Sequence, residues 1–308
     1  MLPKFHTRIF ENKWPSELGG VLLAFLNILL LLYATRPIGG VIATLSTWGK
    51  WMQEIVLLNI QTPGSILRPP SAEGRDILTY GFVFGVFFTA LLANQFRLRR
   101  EGGYIQGLTG GLLMGIGGSL AGGCTLGAFY SSVMSLSLSG FIVMAGLMIG
   151  SYIGGRFMMW QIDRQAEKLF NQDACHMKKQ TAENSGKDAG KSRKKAAVIT
   201  ALFIIAATAL LFLIGRRSFA IMLLFGVSFG VVFQRSAFCI TAAFREMFMT
   251  RSTRMMQSLL ISLAIGIVGF TIIKASGTIP ADMYVFQSGW YNLAGSIMFG
   301  FGMTITGG

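Results

Sequence analysis

The stretch MGIGGSLAGGCTLGAF, Met114 to Phe129, decides the fold of this chain. It lies in a long apolar region, but five of its glycines fall within residues 115–123 and Cys124 follows them directly. Because each glycine inside a helix costs about 1 kcal/mol relative to alanine, this density predicts a helix break that another group approaches closely. At membrane depth, non-helical backbone is tolerated only where it is buried in protein or lines a cavity. The stretch therefore predicts a broken helix beside a pathway near Cys124.

A second stretch, MFGFGMTITGG at residues 298–308, has the same glycine spacing. Its four glycines stand at a constant offset of 185 residues from glycines of the first stretch: Gly300, Gly302, Gly307 and Gly308 correspond to Gly115, Gly117, Gly122 and Gly123. Residues 81–88 and 226–233 also match at five of eight positions, at an offset of 145. The offset grows from 145 to 185 residues, so the second half holds 40 more residues than the first, enough for one extra membrane crossing. The sequence thus predicts two repeats whose glycine-rich breaks enter the membrane from opposite sides, as in many secondary transporters.

The composition excludes an ordinary soluble globule. Hydrophobic residues make up 52% of the 308 residues and charged residues only 13%, whereas soluble proteins average about 25% charged residues. Several apolar runs are about 20 residues long, the length of a membrane-spanning helix. The net charge of +14 comes from basic residues in the links between these runs, where cytoplasmic loops carry them. No aromatic-rich basic module is present, so nucleic-acid binding is not expected. The predicted fold class is an all-α, polytopic membrane protein with two internal repeats.

The predicted crossings follow from the apolar runs. They lie at about residues 17–35, 77–94, 139–160, 196–214 and 256–273, with a glycine-rich run at 104–137, an interrupted run at 219–244 and a last run from 290. Residues 41–60 carry Trp48 and Trp51 beside Lys50, which suits either an interfacial amphipathic helix or an external helix packed on the protein. Glycines 146, 150 and 154 form a small-residue stripe for which helix packing is a sufficient explanation.

Charge between the runs predicts orientation and domains. The basic N-terminal segment and the polar, basic linker at 161–195 are expected in the cytoplasm. The predicted units are an N-terminal helix with an external segment at 1–76, a first transport repeat at 77–160, this linker, and a second transport repeat at 196–308.

Three cysteines are present: Cys124, Cys175 and Cys239. No CxxC spacing occurs and the only histidines are His6 and His176, which argues against a structural zinc site. A thiol is a weak, polarisable hydrogen-bonding group, better suited to a soft sulfur or selenium atom than to a carboxylate. A plain buried cysteine is the alternative for both Cys124 and Cys239. The Gly-Gly break before Cys124 favours function there, whereas for Cys239 the residues alone favour a plain buried cysteine. Cys175, in the linker, is predicted to be an exposed, unused thiol.

Arg235 is the charged residue inside an apolar run. An intramembrane arginine is a functional hypothesis by default, either as an anion ligand or as a partner of Glu246. The alternative is an arginine whose side chain extends to the interface at a helix end. No carboxylate pair, phosphate-binding loop or Ser/His/Asp arrangement lies in the apolar runs. An enzyme, a bound cofactor, ATP drive and coupling through an intramembrane carboxylate are therefore not expected.

These motifs resemble one family. The stretch FGVSFGVVFQRSAFCITAAFRE at 225–246, followed by FGFGMTITGG at 299–308 and preceded by GIGGSLAGGCTLGAF at 115–129, resembles the YeeE/YedE or sulphur transport family. The additional N-terminal span and the basic linker resemble its YedE branch, which is linked to selenium metabolism.

The resemblance implies a bacterial inner-membrane protein with an hourglass-like helical fold. It implies import of thiosulfate or a selenium compound past axial cysteines, here Cys124 and Cys239. A third family cysteine would follow the second Gly-Gly, so the second repeat is expected to be truncated at this motif. The predicted substrate-binding residues are these two cysteines together with Gly122, Gly123, Gly307, Gly308 and Arg235.

The expected partners are a small sulfur- or selenium-containing anion and the lipid bilayer. Two alternatives remain open. The protein could pass persulfide or selenide to a cytoplasmic sulfur-carrier protein, or it could be a structural membrane subunit that transports nothing.

Overall fold

A computed structural model describes residues 14–57, 74–93, 104–172, 188–250, 252–280 and 287–306, and within these ranges the chain contains helices and no strands. The helices are α1 (Ser16–Ala34), α2 (Val41–Leu57), α3 (Gly74–Leu92), α4 (Tyr104–Leu120), α5 (Thr125–Met134), α6 (Leu138–Gln172), α7 (Asp188–Leu213), α8 (Arg217–Ser236), α9 (Ile240–Met249), α10 (Arg254–Ala275) and α11 (Trp290–Ile305).

Within the described ranges, five helical stretches are long and apolar enough to cross a membrane. They are α1, α3, most of α6, the pair α8–α9 and α10, and the bent pair α4–α5 would be a sixth. The protein is therefore a polytopic helical membrane protein, as predicted. The predicted crossing at 196–214 corresponds to α7, whose apolar part, Thr200–Leu213, is shorter than a full span. α6 continues to Gln172, so the predicted start of the linker at 161 falls inside a helix.

α3 and α8 pack along the two matching segments at 81–88 and 226–233. Gly81 faces Gly226, and a Cβ atom on Gly81 would lie 3.2 Å from the Cα of Gly226. Gly85 faces Val227, with its own Cβ position 2.8 Å from the Val227 Cα. Residue numbers rise together along this contact, so the two helices run parallel. Glycine on both sides allows the backbones to touch, which is how helices associate closely in lipid.

α11 is packed between α4 and α6, again through glycine. Gly117 lies against Gly295, where an added Cβ would be 2.7 Å from the Gly295 carbonyl oxygen, and Gly110 lies against Gly302. Numbers rise along α4 as they fall along α11, so these two helices are antiparallel. An extra crossing by α10 in the second half predicts this antiparallel arrangement of the two glycine-rich helices. That the two halves are repeats stays a prediction.

The small-residue stripe of α6 packs on the opposite side of α11. Gly150 faces Phe301, where an added Cβ would be 3.0 Å from the Phe301 backbone nitrogen. Gly154 faces Thr304, with its Cβ position 2.8 Å from the Thr304 Cβ. The stripe therefore has the packing role that its spacing predicted.

α1 is held by α10 and is followed by a short segment that turns back into the protein. The Ser262 hydroxyl donates to the Gly20 carbonyl at 2.6 Å, and Glu17 lies 3.9 Å from Arg254 at the surface. Residues 35–40 then lead into α2, which packs on α3 through Trp48 Nε1 donating to the Tyr80 hydroxyl at 2.8 Å. Trp48 is also exposed, so α2 is attached to the protein and open on its other side.

Candidate functional site

The glycine-rich stretch breaks where the sequence predicted. α4 ends at Leu120, α5 begins at Thr125, and the two helices are bent by 44°. Gly122 has φ +81° and Gly123 has φ +154°, in the region that residues with a side chain rarely adopt. The two glycines therefore permit the turn between the half-helices.

Cys124 is the residue immediately before α5. Its carbonyl oxygen accepts the Ala128 N–H at 2.8 Å, and its side chain is half-buried. Residues Thr125–Ser131 of α5 form π-helical turns, a feature that occurs frequently at functional sites. Sequence reasoning did not find this distortion, because no residue type marks it.

A cavity of about 970 Å³ opens beside the break. Its lining residues come from α1, α2, α3, α4, α8 and the two linking segments: Leu30, Ala34, Arg36, Pro37, Gly39, Ile42, Ala43, Ser46, Gly74, Arg75, Leu78, Gly118, Ser119, Gly122, Gly123 and Met222. Two of them, Arg36 and Arg75, are cationic, and none of these lining residues is acidic. The cavity thus combines positive charge with the exposed backbone of Gly122 and Gly123, an arrangement that favours an anion.

Neither arginine was singled out as a ligand from the sequence. Arg36 follows α1 and Arg75 is the second residue of α3, so both read as ordinary charges at helix ends. Only the packing of α1, α3 and α4 around one cavity brings them together. Asp76, next to Arg75, is completely buried in the first turn of α3. The expectation that this helix begins at about Ile77 is wrong by one turn. Asp76 therefore belongs to the helix, and its carboxylate lies inside the protein.

Cys239 stands at a second interruption, between α8 and α9, which together form one span, unlike the bent pair α4–α5. α8 ends at Ser236, Ala237 has φ +49°, and α9 begins directly after Cys239. The Cys239 carbonyl accepts the Ala243 N–H at 3.0 Å, as the Cys124 carbonyl accepts that of Ala128. Both cysteines therefore occupy the position before a half-helix.

A shared pattern marks both positions in the sequence: CTLGAF at 124–129 and CITAAF at 239–244. The last residues of the two patterns, Phe129 and Phe244, are buried and in contact, with ring centroids 5.5 Å apart. This match, at an offset of 115 residues, is visible in the sequence, but the spacing of the glycines does not indicate it.

The remaining predicted ligands lie elsewhere. Arg235 is in the last turn of α8 with 2% of its surface exposed. It therefore lies at a helix end, as both interpretations require, and its role stays a prediction. It is not among the lining residues of the cavity, and its carbonyl accepts the Trp14 N–H at 3.1 Å. Gly307 and Gly308, like Cys175, lie outside the described residues. Within the described ranges, no group of three or more His, Cys, Asp or Glu side chains is placed to hold a metal ion.

The chain is similar in sequence to proteins named as transporters. The chain is 31% identical over 239 residues to "Probable transporter YedE" of Escherichia coli (strain K12), covering 77% of this chain and 57% of that protein. It is 29% identical over the same length to the YedE protein of Salmonella typhimurium (strain LT2), again covering 77% and 57%. It is 30% identical over 158 residues to "Thiosulfate transporter TsuA" of Spirochaeta thermophila, covering 50% of this chain and 44% of that protein.

The chain thus spans less than two thirds of the length of these curated relatives. No solved structure matches it. Residues 2–153 and 235–308 match the sequence profile described as Sulphur transport, which includes both cysteine-containing breaks. The chain belongs to the sulphur transport, or YeeE/YedE, family.

Proposed function

We propose that the protein imports a sulfur- or selenium-containing anion of the thiosulfate type across a bacterial inner membrane. The observation that carries this proposal is the cavity, where Arg36 and Arg75 face the Gly122–Gly123 break that leads directly to Cys124. Thiosulfate is a dianion with a soft terminal sulfur atom. Positive charge would attract its oxygen end, and a thiol would accept its sulfur end as a polarisable partner.

Charge along the chain supports the side on which the cavity opens. With the basic N-terminal segment in the cytoplasm, as the positive-inside rule predicts, a single crossing by α1 would put Arg36, at its far end, and the cavity on the outer side. The cavity is then the entry for the anion, and the break at Cys239 belongs to a later part of the pathway. Arg235, Gly307 and Gly308 remain candidates for that later part.

Uptake of labelled thiosulfate and selenite into cells tests this proposal. The comparison is between the native chain, Cys124→Ala, Cys175→Ala and the empty vector. Cys175→Ala is the matched control, since it removes a thiol that the proposal does not use. We expect uptake by the native chain and by Cys175→Ala, and its loss in Cys124→Ala. Equal uptake by the native chain and both cysteine variants would refute the thiol pathway. If uptake does not exceed that of the vector and the purified protein does not bind thiosulfate, transport is refuted.

Intact-mass analysis of the protein after exposure to substrate distinguishes the carrier-partner alternative. A transporter that uses only non-covalent contacts leaves Cys124 unmodified. A stable sulfur or selenium adduct on Cys124 would instead favour transfer to a cytoplasmic sulfur-carrier protein.

A further inference from the structure

Residues 35–40, which we call the cover segment, contact both the cavity and the Cys124 thiol. Arg36, Pro37 and Gly39 of this segment line the cavity. Gly40, the next residue, lies against the Sγ atom of Cys124, and a side chain there would collide with that atom. Gly40 is buried with φ +79°, so its backbone fits this position only without a side chain. One face of the segment is thus directed to the cavity and the other touches the thiol.

Two buried side chains hold the cover segment at Ile38. The Ile38 N–H donates to Asn27 Oδ1 at 2.9 Å, and the Ile38 carbonyl accepts from Ser131 Oγ at 2.8 Å. Asn27 and Ser131 both have no exposed surface, and Ile38 is 2% exposed. Asn27 in turn donates to Met134 Sδ at 3.3 Å. Both backbone polar groups of Ile38 are therefore satisfied by side chains inside an apolar core.

One of the two holding side chains belongs to the helix that begins after the thiol, and the other is in contact with that helix. Ser131 and Met134 are on α5, which starts directly after Cys124. Asn27 is on α1 and is oriented by Met134. A movement of the cover segment away from Cys124 must therefore break contacts with α5, and a movement of α5 displaces the thiol and the cover together.

We propose that the cover segment controls access from the cavity to the Cys124 thiol, and that Asn27 and Ser131 are the positioning residues that keep it closed. The inference rests on the proposed function, because it assigns the access step of that pathway. Arg36 is part of the cover and also faces the cavity. An anion bound there contacts the cover directly, so its binding can favour the open position by differential affinity.

The rate of Cys124 alkylation measures this access without requiring transport. The full chain, purified in detergent, is treated with N-ethylmaleimide, and modification of the Cys124 peptide is followed by mass spectrometry. Ser131→Ala removes one of the two contacts that hold the cover. We expect Cys124 to react about tenfold faster in this variant, because opening no longer breaks that buried hydrogen bond.

Ser132→Ala is the matched control. Ser132 also has no exposed surface, but its hydroxyl donates to the Gly127 carbonyl at 3.0 Å, inside its own half-helix. We expect a near-native alkylation rate in this variant. If Cys124 reacts at the native rate in both serine variants, Ser131 does not restrain the cover segment and the proposal is refuted. If Cys124 reacts equally faster in both, the substitutions have loosened α5 in general, which also refutes it.

Asn27→Leu provides a second test, for use if Ser131→Ala does not fold. It removes the acceptor of the Ile38 N–H at similar side-chain volume, and we again expect faster alkylation of Cys124, measured at equal folded fraction by size-exclusion chromatography. A native rate in a folded Asn27→Leu variant would contradict the proposal. Because the assay is independent of uptake, a chain that shows these rates but neither takes up nor binds the substrates tested would refute the proposed function and leave the cover intact.

Discussion

The rings of Phe129 and Phe244 meet edge to face, with centroids 5.5 Å apart and planes at 69°. Each phenylalanine stands five residues after a cysteine, at the same position of the pattern that begins α5 and α9. The contact joins the two half-helices that follow the two breaks. We therefore expect a shift of one break to be transmitted to the other through this pair.

A double-mutant cycle measures the contact. Phe129→Leu and Phe244→Leu should each destabilise the protein, and the pair should show a coupling energy of about 0.5–1.5 kcal/mol, as edge-to-face aromatic pairs do. The measurement is the free energy of unfolding in mixed micelles. The control combines Phe129→Leu with Phe82→Leu. Phe82 packs on Phe233 between α3 and α8, so the effects of these two changes should be additive. Additive effects for Phe129 and Phe244 would show that the rings do not interact energetically.

The charge of the cavity should determine the affinity for the anion. Arg36→Gln and Arg75→Gln should each raise the KM for thiosulfate uptake by about tenfold, the effect of losing one charge-assisted contact. The matched control is Arg156→Gln, which removes an exposed arginine on α6. If the three variants have the same KM, the arginines of the cavity do not bind the substrate.

The turn at Gly122 should depend on its backbone conformation. Its Cβ position is open, but its φ of +81° is in the left-handed region, so Gly122→Ala should lower the free energy of unfolding by about 1 kcal/mol. Gly115→Ala is the control, because Gly115 lies inside α4 with no atom within 4 Å of an added Cβ. There alanine should stabilise the helix by up to about 1 kcal/mol. A stabilising effect of Gly122→Ala would show that the break can adopt another conformation.

The antiparallel packing of α4 and α11 requires that α10 crosses the membrane. Reporter fusions at Gly277, after α10, and at Arg254, at its start, should therefore report opposite sides, with Arg254 in the cytoplasm. The control is a pair of reporter fusions at the start and end of α1, which are expected on opposite sides because the positive-inside rule puts the basic N-terminal segment in the cytoplasm. Reporters at Gly277 and Arg254 on the same side would refute the extra crossing and the inverted arrangement that depends on it.

Hydrophobic runs and glycine spacing were sufficient to predict the class of fold, the break before Cys124 and the crossings at α1, α3, α6 and α10. These features depend on local composition, because the length of an apolar run and the conformational freedom of glycine are properties of the segment itself. The pairing of the glycine-rich segments was not predicted. A small-residue stripe shows that a helix packs closely, but it does not identify the partner.

The cavity was missed for the same reason. Arg36 and Arg75 belong to helix ends that are distant in sequence, and only the assembled fold places both at the Gly122–Gly123 turn. The return of residues 35–40 into the protein was also missed, since Arg36-Pro37 and Gly39-Gly40 predict only the end of a helix. Their inward path depends on Asn27 and Ser131, polar residues that the sequence alone does not distinguish from those of a packing interface.

The close contact of glycine-bearing helices has a mechanical consequence. Where α3 meets α8 and α4 meets α11, glycines bring main-chain atoms of the two helices into contact, so little side-chain volume separates them. Each pair is therefore expected to move as one unit. Under the proposed function, exposure of a substrate to the two sides of the membrane would then depend on the segments between these pairs, above all on α5 and the link between α1 and α2.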